Sequence, residues 1–372
     1  MLEDLGTAIQ AQDYPQAASL LAQLTPDEQE TPWGLFYKFR IAEGQGDYAT
    51  ARQGYRELIG WINNPKLLAR IRRGLERITE IDRQQAQAKQ AERQAAIAVA
   101  RNQPDSQELG IFVLDRVEAE QKTAAAKALA EVFQIDAYSA RLQLPSRGWR
   151  LYRTGNLGEL KFYQQQLQDR GIPCFCVPLS QLLPIRVLPV HRLTGISPQG
   201  KVQYPVNPEE TATWTFSWSE VTQRVEGLLP IFSETVNLNP NGKTDWKTTI
   251  HDYARICDLH LPQQQTILRF CDHIYEFQGG VNLLPTTPKM AAPATTHDYW
   301  QGLLSLFQAQ IPQERVWNEF KTFAETALDF QELLKQLDHQ IHFMRRQETY
   351  WHEAFHLYST LAFCYSPSQS ET

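Results

Sequence analysis

The sequence predicts a multidomain α+β chain: an α-helical repeat first, then a small α/β unit, a β-rich region and a final set of helices. Three observations carry this. Residues recur at a fixed offset near the start, strand-length apolar runs alternate with helical faces after residue 108, and long apolar stripes at helical spacing return after residue 297. At 372 residues the chain is too long for one ordinary core. We expect segments at 1–101, 108–180, 183–282 and 297–364.

The first segment repeats itself. Asp13-Tyr14, Ala17, Leu21 and Leu24 return as Asp47-Tyr48, Ala51, Tyr55 and Leu58, each pair separated by the same step, 48 − 14 = 34. Helix pairs of this length cannot bury both apolar faces alone, so units stack and small residues sit where backbones meet. Gly46 tolerates the left-handed conformation that ends a helix, and Asp47 is an N-cap for the next. These residues resemble the tetratricopeptide repeat family over roughly residues 2–65. The departures are Leu5 and Phe39, where the family usually has Gly, and Asn63, where the closing Pro arrives only at Pro65. The resemblance implies a concave surface that binds another protein or peptide. Tyr37, Lys38, Arg40 and Ile41 would line it, and Arg70 and Arg73 would clamp an acidic terminus.

Pro65 opens a helix whose apolar period fades into a stretch rich in Ala, Gln and charge, read as an exposed spacer. From Asn64 to Arg101, nine Lys/Arg face four Asp/Glu. The whole chain nevertheless carries a net charge of −6, which gives no reason to expect nucleic acid.

The next segment reads strand, helix, short helix, strand, helix, strand. That order is similar to the small fold shared by the ribosomal stalk protein's C-terminal domain and a bacterial protease adaptor, both protein-binding modules. From Leu183 the texture turns β-rich, with turn signals at Ser197-Pro198-Gln199-Gly200 and Asn239-Pro240-Asn241-Gly242 and a hairpin around Pro262 to Gln265. A Pro/Thr/Ala-rich linker from Pro285 leads to the last helices.

Five Cys with no signal peptide point to reduced thiols in the cytoplasm. No apolar run reaches bilayer-spanning length, so no transmembrane segment is expected, while peripheral membrane association stays open. No cofactor is expected, since phosphate-loop, dinucleotide and serine-elbow patterns are absent.

His352-Glu353-Ala354-Phe355-His356 matches H-E-x-x-H and so looks like the zinc metallopeptidase motif. His352 and His356 would be ligands and Glu353 the general base. At ~100° per residue, however, the apolar stripe centres near Trp351 and Tyr358 with the His pair about 140° away. Burying the stripe is therefore expected to turn both His toward solvent. Cys257, Asp258 and His260 with Cys271, Asp272 and His273 also have zinc-ligand types. With Leu261 facing Thr266, Asp258 faces Arg269, and the six residues divide between two sheet faces. A cross-strand Asp258–Arg269 pair is expected instead. The reading is a non-enzymatic adaptor, scaffold or assembly factor, with a zinc-dependent hydrolase through residues 352–356 as the alternative.

Overall fold

The computed structural model describes residues 2–207, 209–238, 244–284, 293–312, 314–338, 340–341 and 349–365, with side chains between 233 and 247 left aside. The protein mixes helix and sheet, 50% and 23% of residues respectively. It divides into two compact units, residues 1–96 and 97–372.

The first unit is helical: α1 (Leu2–Gln10), α2 (Tyr14–Ala22), a one-turn α3 (Pro26–Gln29), α4 (Pro32–Gly44), α5 (Tyr48–Ile59) and the start of α6 (Pro65–Arg101). The offset read from sequence has a geometric counterpart. Asp13 and Asp47 both cap, accepting from the backbone N–H of Gln16 and Thr50. Just before each cap, Gln12 and Gly46 hold positive φ angles of 60° and 86°. Ala17 and Ala51 are both fully buried. Glycine then lets rings into the helix contacts. A Cβ at Gly44 would stand 2.1 Å from the Tyr14 ring, and one at Gly74 would stand 2.6 Å from Tyr55. Thus α4 receives a ring from α2, and α6 receives one from α5.

The second unit begins with β1 (Leu109–Leu114), α7 (Lys122–Phe133), α8 (Ala137–Gln143), β2 (Arg150–Asn156), α9 (Leu157–Gln168) and β3 (Cys174–Pro178), in the expected element order. The strands form an antiparallel sheet ordered β2-β1-β3. After the short α10 (Leu179–Leu182) come β4 (Arg186–Val190), β5 (Arg192–Gly195), β6 (Gly200–Asn207), β7 (Glu210–Phe216), β8 (Gln223–Leu238), β9 (Thr244–Leu261) and β10 (Thr266–Cys271). The chain then runs through α11 (Thr296–Gln310), β11 (Arg315–Trp317), α12 (Phe320–Ala327), α13 (Gln331–Leu334) and α14 (Trp351–Cys364). The strand β11 was not anticipated. The turn at Asn239 to Gly242 and most of the linker after Pro285 lie outside the described residues.

A five-stranded sheet, β11-β8-β9-β10-β4, is the centre of this unit. Its two faces follow the period of two. Val225, Leu229, Ile256 and Cys271 join a core with β1–β3, α12 and α14. Cys257, Leu259, Leu268 and Phe270 point the other way, into a core with α11 and the three-stranded sheet β5-β6-β7. Residues from the stretches 108–180, 183–282 and 297–364 therefore share the first of these cores.

Candidate functional sites

In the first unit, the expected groove residues separate. Tyr37 and Ile41 are 9% and 5% exposed and belong to the core between helices, which corrects their placement on the concave surface. The physical reason is that α4 is covered on more than one side, by α1, α2 and α5. Lys38, Arg70 and Arg73 are exposed, with no carboxylate partner among the described residues. The Arg70 guanidinium lies 5.2 Å from the centre of the Trp33 ring, which fixes its direction. Arg40 is half-buried and already engaged, 3.4 Å from Glu43 and over the Tyr14 ring at 5.7 Å.

Glu43, which nothing in the sequence pattern singled out, organises the cluster. It accepts from Tyr55 Oη at 2.8 Å and from Arg77 Nε and Nη2 at 2.7 and 3.0 Å. Burial, with the Glu43 charge beside it, raises the Tyr55 phenol far above its ordinary value, and the hydrogen bond to Glu43 raises Arg77. The spacing Glu43 to Arg77 is again 34 residues, 77 − 43, a signal that an offset search extended to charges would have caught.

In the second unit the expected hairpin register is present residue for residue: Leu261 faces Thr266, Asp258 faces Arg269, and Ile256 faces Cys271. Asp258 and Arg269 are both 0% exposed and bidentate, Nε to Oδ1 at 2.9 Å and Nη2 to Oδ2 at 2.7 Å. From α14, Ser359 Oγ reaches Asp258 Oδ2 at 2.5 Å and His260 Nε2 at 2.9 Å. An ionised Asp258 accepts the Ser359 proton, so the serine oxygen must accept from His260 Nε2–H. A nucleophilic serine needs the reverse, a histidine that takes its proton. Burial, with the Arg269 charge adding to it, lowers His260 to about 3 and keeps it neutral. The constellation is a sealed polar clamp between helix and sheet.

The histidine-rich motif lies on the same helix. His352 and His356 are 3% and 7% exposed, so the expectation that they face solvent is wrong. An apolar stripe implies one covered face, whereas from Ala354 to Ala362 every residue of α14 is buried. Glu353 is half-buried. Among the described residues, the one group with metal-ligand spacing is instead Cys271, Asp272 and His273. Its donors are committed elsewhere. Asp272 accepts from the Arg255 backbone N–H and from Nη1, each at 2.9 Å, and lies 2.8 Å from His273 Nδ1. Burial pushes the Cys271 thiol up to about 12, away from the thiolate that binds metals.

A cavity of about 600 Å³ opens beside β8, lined by Leu228, Tyr253, Trp300, Phe320, Lys321 and Trp351 among others. Among the described residues, no helix is long and apolar enough to cross a membrane. Comparison with family descriptions, curated proteins and solved structures finds no match for this chain.

Proposed function

We propose that the chain is a protein-binding adaptor, scaffold or assembly factor whose first unit engages an acidic segment of another polypeptide. The observation that carries this is the set of three unpaired cations, Lys38 on α4 and Arg70 and Arg73 on α6, exposed on helices one repeat step apart. Arg70 is held in place by the Trp33 ring, so part of the entropic cost of ordering it is met before a partner arrives. A tetratricopeptide-like stack accounts for the 34-residue offset, the paired Asp caps and the rings seated on Gly44 and Gly74. With two helix pairs followed by α6, the surface is short, so a second contact elsewhere on the chain would add avidity.

The test is capture of partners by the full-length chain, followed by mass spectrometry, for wild type and for the triple variant Lys38→Glu, Arg70→Glu, Arg73→Glu. The three positions are exposed, so the melting temperature should be unchanged. An acidic partner held by wild type should fall at least tenfold in the variant. Equal recovery by both proteins removes this surface from the account.

A further inference from the structure

The central sheet has one edge that is only partly paired. β11 runs parallel along β8 for three positions, Arg315 opposite Gln223, Val316 opposite Arg224 and Trp317 opposite Val225. At Asn318 the chain leaves that edge, and α12 begins at Phe320. From Glu226 onward, β8 pairs only with β9 among the described residues. No other backbone hydrogen bond satisfies Glu226 to Pro230 there.

The cavity occupies the path that β11 abandons. Glu226, Gly227, Leu228 and Pro230 line it, and so does Asn318, where β11 has ended. One wall is α11 through Trp300 and Leu304, and the other is α12 through Phe320 and Lys321, with Trp351 beyond. Leu228 and Tyr253 remain 54% and 43% exposed on it. Glu226 and Arg255 are already paired, with Arg224 and Asp272 respectively. The slot therefore offers no strong net charge to a ligand.

We propose that this slot is a strand-addition site: it takes an extended segment of another polypeptide, which pairs with the β8 edge in continuation of β11. An apolar slot alone would accept many shapes. A strand edge demands more, because its outward N–H and C=O groups repeat along the edge and another backbone matches that repeat. At ~3.4 Å per residue the open edge is about 17 Å long, room for four or five residues. Pro230 has no N–H to donate and marks its far end. Successive side chains of the guest would meet the α11 and α12 walls in turn, so the favoured guest carries β-branched side chains with apolar surface at both sets of positions. The site is independent of the cationic surface of the first unit.

The test uses the full-length chain and a fluorescein-labelled, acetylated hexapeptide of alternating valine and threonine with lysine at each end, read by anisotropy. Two further peptides carry N-methyl groups on alternate amides, one in each register. Saturable binding is expected, with at least tenfold weakening by N-methylation in one register and little in the other, because an edge uses alternate amides. Leu228→Arg and Tyr253→Arg should each weaken binding at least tenfold with an unchanged melting temperature. Lys38→Glu, Arg70→Glu, Arg73→Glu should leave it unaltered. Absence of saturable binding overturns the proposal. So does equal binding of both N-methylated peptides, which would mean an apolar slot that ignores the edge.

Discussion

Replacing Asp258 by Asn tests whether the polar clamp under α14 is structural. The substitution keeps shape and hydrogen-bonding atoms but removes the Asp258 charge from the Arg269 guanidinium, which is 0% exposed. Breaking a buried pair by removing one partner costs about 3–5 kcal/mol. Here Arg269 makes its bidentate contact to Asp258, and the same carboxylate receives Ser359 Oγ at 2.5 Å, so the upper half of that range is expected. Two of the nine Trp, Trp33 and Trp61, lie in the first unit. In a Trp33→Phe, Trp61→Phe background, urea denaturation followed by fluorescence then reports the second unit. Asp258→Asn should lower its stability by about 4 kcal/mol. Arg269→Met on top of it should cost far less than it does alone, with coupling of about 2 kcal/mol. A loss below about 1 kcal/mol, or additive effects, would refute the clamp.

The clamp also predicts a pH dependence. Folded His260 protonates near 3, against an ordinary value of 6.5, so the unfolded chain takes up the proton first as pH falls. Stability from this group is intact above pH 6.5 and declines through the window down to about 3. At about 1.4 kcal/mol per pH unit, moving from pH 7 to 5 should cost about 2 kcal/mol. His260→Gln keeps an N–H for Ser359 and should flatten that decline in urea titrations; an unchanged slope would count against the buried, neutral imidazole. His352→Ala, at a position 3% exposed, should destabilise the protein by about 1–3 kcal/mol. Zinc per chain, measured by mass spectrometry, should be the same in wild type and variant. Loss of one zinc per chain would instead revive the metallopeptidase alternative.

What could be read beforehand depended on how local its cause was. The hairpin register followed from the turn at Pro262 to Gln265 and from alternation, so Asp258 opposite Arg269 was visible in the chain itself. The caps at Asp13 and Asp47 were equally local. The inward turn of His352 and His356 was not, because it depends on α14 being enclosed by elements distant in sequence. β11 escaped notice for the same reason: three residues carry no period, and its pairing with β8 spans some ninety positions, 316 − 224 = 92. Tyr37 and Ile41 were misplaced because a repeat pattern says which helix is inner, while burial depends on what covers each side of it.

The enclosure of α14 sets an order of events during synthesis. Ser359 completes the contacts of Asp258, and Gln223 Nε2 donates to the carbonyl of Ala362, so the central sheet has its lining only after residue 362 has been made. The first unit depends on neighbours within a few dozen positions and can assemble while later residues are still emerging. Between the completion of β10 and that of α14 the nascent chain thus presents a finished helical platform followed by an open, polar-seeded sheet. A stop codon between Cys271 and Trp351 would leave the platform intact while exposing Asp258 and Arg269 to water.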